Sequence, residues 1–191
     1  MTESAPAARA TDRTEPGGPA GPADPAAPPE PPDGAERLHR NAEHMRRVLA
    51  ELGVPGRVRL LSDSARTAAE AAQALGVPVG AIASSLVFLL DDQPLLVLTS
   101  GAHRVDPELV GGALGGRLRR ADADAVRAAT GQPIGGVGPV GHPTPLRTVV
   151  DVDLAGFDVV WAAAGTPHTV FPTTYGELLR ITGGTPLTVG R

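Results

Sequence analysis

The chain predicts an α+β fold, and three observations carry that expectation. Two strand-like apolar runs, Ile82 to Leu90 and Leu95 to Thr99, flank the turn-forming segment Asp91-Asp92-Gln93-Pro94, which is the pattern of an antiparallel hairpin. Short helical stretches with their own start and stop signals fall between strands in irregular order. Regular βαβ alternation, which would mark a parallel α/β sheet, is missing.

The elements follow in order. Glu36 to Leu52 reads as a helix with Leu38, Met45, Val48, Leu49 and Leu52 near one face and Gly53 as its stop. Arg57 to Leu61 alternates enough for a short strand. Thr67-Ala68-Ala69-Glu70 is a capping-box pattern opening an alanine-rich helix that ends near Leu75-Gly76. After the hairpin, Asp106-Pro107 starts a short helix, with proline at a position that needs no N–H, and Gly115-Gly116 ends it. Arg117 to Arg120 reads as a brief edge strand, and Asp122 to Thr130 as a helix closed by Gly131. Arg147 to Val152 and Val159 to Ala163 read as buried strands. Thr174-Tyr175-Gly176-Glu177 opens a helix through Ile181, and a last strand lies near Leu187 to Val189.

Composition sets the outer limits. Residues 1–35 hold nine prolines and nine alanines and no Leu, Ile, Val, Phe, Tyr or Trp. With nothing to bury they cannot offset their ordering entropy, so a disordered acidic tail is expected there, followed by one folded domain over residues 36–191. The tail has no apolar stretch of signal-peptide length. It carries six acidic and two basic residues and so accounts for the whole net charge of −4. The remaining domain balances at fifteen charges of each sign, which argues against a general polyanion binder and against a DNA partner. No apolar run reaches membrane-spanning length, and a cytoplasmic domain is expected. Cysteine is absent, excluding disulfides and thiolate chemistry; all seventeen basic residues are arginine, so no lysine amine is available.

Polar groups that could carry chemistry fall in four loops or strand ends: Ser84-Ser85; Ser100 to Arg104 with His103 and Asp106; Gly135 to His142; and Ala164 to Thr169 with His168. The third holds four glycines around Pro139. Glycine reaches φ > 0 and permits close backbone approach, so such a loop suits a wall of N–H donors around a small polar ligand; turn chemistry alone also explains it. Three readings of the histidines stand side by side. A metal site on His103, His142 and His168 is chemically allowed, but no HxH or HExxH spacing supports it. A Ser–His–Asp hydrolase would want a GxSxG turn, which is absent. Backbone donors could instead hold an ester carbonyl while a substrate hydroxyl or a water attacks.

Ile82 to Phe88, Gly101 to Asp106, Gly135 to Gly141 and Trp161 to His168 together resemble, in order and spacing, the YbaK / prolyl-tRNA-editing-domain family. The resemblance runs from about Asn41 to the C-terminus. It implies a compact domain whose central mixed sheet curls round a small pocket. The implied activity is hydrolysis of the ester joining a wrong amino acid to the terminal ribose of a tRNA, without metal or organic cofactor. The tRNA 3′ end is the implied partner, with an aminoacyl-tRNA synthetase as a candidate protein partner. Carried over by position, Gly135, Gly136, Gly138, Ser84, Asp151 and His168 would serve catalysis. Ser85, Pro139, Gly141, His142, Thr169, His103 and Arg104 would contact substrate. Two departures stand out: many members have a lysine where this chain has Ser84, and a proline where it has Gly138. The same resemblance also leaves room for a weakened or inactive binding module.

Overall fold

The computed structural model describes residues 34–61 and 67–190. The expected disordered tail lies outside the described residues, except that the first helix, α1, spans Gly34–Glu51 and so takes the last two residues assigned to the tail. The other helices are α2 (Ala68–Leu75), α3 (Pro107–Leu114), α4 (Ala123–Thr130) and α5 (Tyr175–Thr182). The strands are β1 (Arg59–Leu60), β2 (Ile82–Leu90), β3 (Gln93–Ser100), β4 (Leu118–Arg120), β5 (Arg147–Asp151), β6 (Val160–Ala163), β7 (Thr169–Thr173) and β8 (Thr185–Leu187).

The strands form one mixed sheet in the order β1-β7-β6-β2-β3-β5-β8, with β4 added beside β2. The β2–β3, β6–β7, β1–β7 and β2–β4 pairs are antiparallel; β2–β6, β3–β5 and β5–β8 are parallel. Central β3 is covered on both sides, which is why it reads as a continuous apolar run. Leu96 and Leu98 face a core shared with Met45 and Leu49 of α1 and Leu178 of α5, while Leu95 and Val97 face Val110 of α3. This alternation is the period-two geometry of a strand.

The capping box before α2 forms as its spacing predicts: the Glu70 amide donates to Thr67 Oγ1 at 3.2 Å and the Thr67 amide to the Glu70 carboxylate at 2.8 Å. Three expectations are corrected. The hairpin turn is the two-residue pair Asp91-Asp92, at φ 46° and 66°, and Gln93 and Pro94 already belong to β3. Positive φ at both central residues matches the right-handed twist of the hairpin. Strand β7 occupies a stretch assigned to no element. The last strand is Thr185–Leu187, ahead of the expected Leu187 to Val189, while Gly190 bridges Val105. Among the described residues, no helix is long and apolar enough to cross a membrane.

Candidate active site

The glycine loop connects α4 to β5 and is held by side chains that the sequence reading did not single out. Buried Gln132 clamps it: Oε1 accepts from the Gly138 amide at 2.7 Å, and Nε2 donates to the carbonyls of Val140 and Gly141 at 3.3 and 3.4 Å. The Gly136 amide donates to the Pro133 carbonyl at 2.9 Å. The expectation that the Gly135, Gly136 and Gly138 amides all face a ligand therefore changes: those of Gly136 and Gly138 are committed within the loop. Those of Gly135 and Val137 have no hydrogen-bond partner among the described residues.

Close packing explains the other glycines. A Cβ on Gly136 would lie 2.6 Å from the backbone of Thr166, and one on Gly138 would lie 2.9 Å from the Ala163 carbonyl oxygen and also strike Met45 Cε. Met45 comes from α1, so this helix seats the loop. His44 Nε2 lies 3.1 Å from the Gly141 carbonyl, and Gly141 itself is at φ 81°. Pro139 is buried beside them.

His142 Nε2 donates to the Gly138 carbonyl at 3.0 Å. Burial holds its pKa below the ordinary histidine value, and the hydrogen bond to Gly138 only partly counters that. The ring is therefore a neutral loop fastener at neutral pH. Above about pH 6.5 it is neutral in both folded and unfolded chains, so no proton linkage arises. As the pH falls below that value, the unfolded chain takes up a proton that the folded site resists, and stability declines until the lowered folded pKa is reached. Thermal melts at a series of pH values should show this slope, and His142→Asn should flatten it.

The loop faces Ala164 to His168, which Thr169 fastens: its Oγ1 donates to the Ala164 carbonyl at 2.9 Å and lies 2.8 Å from Thr166 Oγ1. The His168 carbonyl accepts from the Leu61 amide, and its Nδ1 is buried without a partner among the described residues. Gly165, at φ 87°, leaves room for the Asn41 carbonyl of α1.

Between these loops and β2 opens a cleft of about 330 Å³. Ser84, Ser85, Gly135, Val137, Trp161 and Pro167 line it, with Arg120 the one charged lining residue among those described. Ser84 and Ser85 point to opposite faces of β2. Val87, two residues after Ser85, packs in the core with Val137, whereas Leu86 packs toward α3. Ser85 Oγ is buried and makes no hydrogen bond among the described residues. Ile134, 63% exposed, stands at the mouth. Arg59 stacks over the Trp161 ring at 4.9 Å.

Two expected site residues form a separate cluster that does not line the cleft. Asp151, fully buried at the end of β5, accepts from the Ser100 amide at 3.0 Å and from His103 Nδ1 at 2.9 Å, and its other oxygen accepts from the Asp153 amide at 3.3 Å. His103 Nε2 lies 3.3 Å from Asp153 Oδ2. Burial and then the Asp151 charge raise the Tyr175 pKa above its ordinary value. Arg104 is exposed next to this cluster, also away from the cleft lining. Among the described residues, the metal-ligating side chains that come together are His103, Asp151 and Asp153, not the three histidines considered above. Asp151 Oδ2 and His103 Nδ1 are already paired with each other, and the cluster ties the end of β3 to that of β5.

The sequence profile of the aminoacyl-tRNA editing domain matches residues 62–181. The chain belongs to this family. Among relatives of the editing domain, the uncharacterized protein YwhH of Bacillus subtilis (strain 168) is 32% identical over 116 residues, covering 60% of this chain and 74% of YwhH. The proline–tRNA ligase of Nitratidesulfovibrio vulgaris (strain Hildenborough) is 33% identical over 114 residues, covering 59% of this chain but 18% of the ligase. A solved structure described as a proposed trans-editing enzyme for prolyl tRNA synthetase superimposes with a TM-score of 0.76 at 43% identity, covering 79% of this chain and 97% of the other. The mixed sheet with short helices is the architecture shared with that structure.

Proposed function

We propose that this editing domain hydrolyses the ester between a small mischarged amino acid and the terminal ribose of a tRNA. The observation that carries the reading is the cleft itself. Its walls are mostly apolar, ranging from alanines to Phe88 and Trp161, and among the described residues the amides of Gly135 and Val137 and the buried Ser85 hydroxyl at its lining have no partner. Donors fixed around a developing oxyanion need no reorganisation during reaction, which is the main source of such catalysis. In this reading the amides of Gly135 and Val137 take the carbonyl oxygen. Water adds to the carbonyl carbon, the ester C–O bond breaks, and the ribose oxygen leaves with a proton. The neighbouring ribose hydroxyl assists the attack, because among the described residues no Asp, Glu or His lines the cleft to act as base. Arg120 offers its charge to a substrate phosphate. His168, next to cleft-lining Pro167, orients polar groups or water.

The same lack of a titratable base supports a second reading, a module that binds an aminoacyl end without turnover. A panel of mischarged tRNAs separates the two. Accelerated deacylation of at least one small-residue ester over the enzyme-free rate is expected, and uniform decay at the enzyme-free rate would sink the proposal. Ser84→Lys, which restores the family's cation in the cleft, is expected to raise the rate about ten- to a hundredfold, the worth of one charge-assisted hydrogen bond.

A further inference from the structure

Strand β2 has two different neighbours along one of its edges. Ile82 and Ala83 pair with β6, and Phe88 to Leu90 pair with β4, so Ser84 to Val87 meet neither. Main-chain groups of successive residues address alternate edges of a strand. The Ile82 carbonyl accepts from Gly101 on the β3 side, and the Val87 carbonyl accepts from Ala121 on the opposite side. Odd-numbered residues therefore face the interrupted edge. The N–H and C=O of Ser85 and the N–H of Val87 have no partner there among the described residues. This stretch of β2 lines the cleft. Main-chain groups enclosed in this way are costly unless a ligand or water satisfies them.

We infer that this stretch reads a nucleobase bearing an amino group beside an accepting ring nitrogen, and that its occupant is the terminal adenine of the substrate. The choice of adenine rests on the deacylase reading; the hydrogen-bond pattern does not. The Ser85 carbonyl accepts from the exocyclic amino group, and the Val87 amide donates to the adjacent ring nitrogen. An oxo-purine presents the reverse pattern, setting a donor against the Val87 donor and an acceptor against the Ser85 acceptor. An added peptide strand does not fit, because β6 and β4 close both ends of a gap only about 13 Å long at the rise of an extended chain. The walls suit a flat ring: Trp161, Val137, Ala121 and Ile134 are apolar and line the same cleft.

The test uses the full chain and aminoacyl-tRNAs ending in adenosine, N6,N6-dimethyladenosine or inosine. Both replacements are expected to lower kcat/KM about ten- to a hundredfold, the usual worth of a paired base contact. In parallel, 3′-alanylamino-3′-deoxyadenosine, which cannot be hydrolysed, is titrated in while the backbone amide resonances are followed. The Val87 amide is expected to shift and to gain protection from exchange, and the inosine counterpart should bind correspondingly more weakly. Equal hydrolysis of all three ends would overturn the base reading while leaving the deacylase standing. No hydrolysis, combined with adenine-selective binding at Val87, would overturn the deacylase and support the base reading. Neither hydrolysis nor binding would overturn both.

Discussion

Gly136→Val is expected to lower kcat/KM for deacylation by about a hundredfold or more. A Cβ at that position would sit 2.6 Å from the Thr166 Cα and carbonyl carbon and 2.8 Å from the Pro167 nitrogen. All of these are backbone atoms, so no side chain can swing aside. The glycine loop must shift as a body, carrying the Gly135 and Val137 amides with it. A displacement of about 1 Å in a positioning group can cost on the order of a hundredfold in rate. Forcing extra carbon into a packed site also costs about 1–3 kcal/mol of stability. Steady-state kinetics well below the melting temperature separate the two effects. Gly112→Ala, whose new Cβ would meet nothing within 4 Å, is the matched control. Wild-type kinetics in Gly136→Val would show that the loop does not shape the site.

The second large effect falls on stability. Asp151→Asn replaces a fully buried carboxylate that accepts from the Ser100 amide, His103 and the Asp153 amide. The new amide nitrogen must face one of those donors, so a buried hydrogen bond is lost and a charge-assisted pair with His103 weakens. Breaking such a pair costs about 3 kcal/mol, which for a domain of this size lowers Tm by roughly 6–12 °C. Turnover per folded molecule should be unchanged, because Asp151 does not line the cleft. A fall in kcat with Tm preserved would instead give Asp151 a direct role at the substrate.

The sequence disclosed local chemistry and withheld distant pairing. Thr67 and Glu70 are three residues apart, and their mutual cap could be read directly. Strand β7 could not be read, because Pro172 demotes a run that otherwise looks like a strand. The fold tolerates that proline because β1 pairs with β7 only at Thr169 and Val170, leaving Pro172 outside the paired residues on that side. The glycine loop announced itself by composition, but which of its amides stay free depends on Gln132, a residue with no signature of its own. His103 and Asp151 are 48 residues apart; His103 was visible as a polar loop residue and Asp151 only through the family resemblance, and it is the parallel β3–β5 pairing that brings them together as a tie within the sheet. Arg120 carried no signal beyond its charge. Its importance comes from β4 ending where the cleft begins.

The hollow in this molecule is made by strand lengths as much as by side chains. Two short ribbons flank one long one and stop before they meet. Extending either ribbon by a couple of residues would zip the seam, leaving every wall residue in place and nothing for it to surround. Insertions in the segments after β4 or β6 therefore act directly on the cavity, where insertions at the hairpin tip would not.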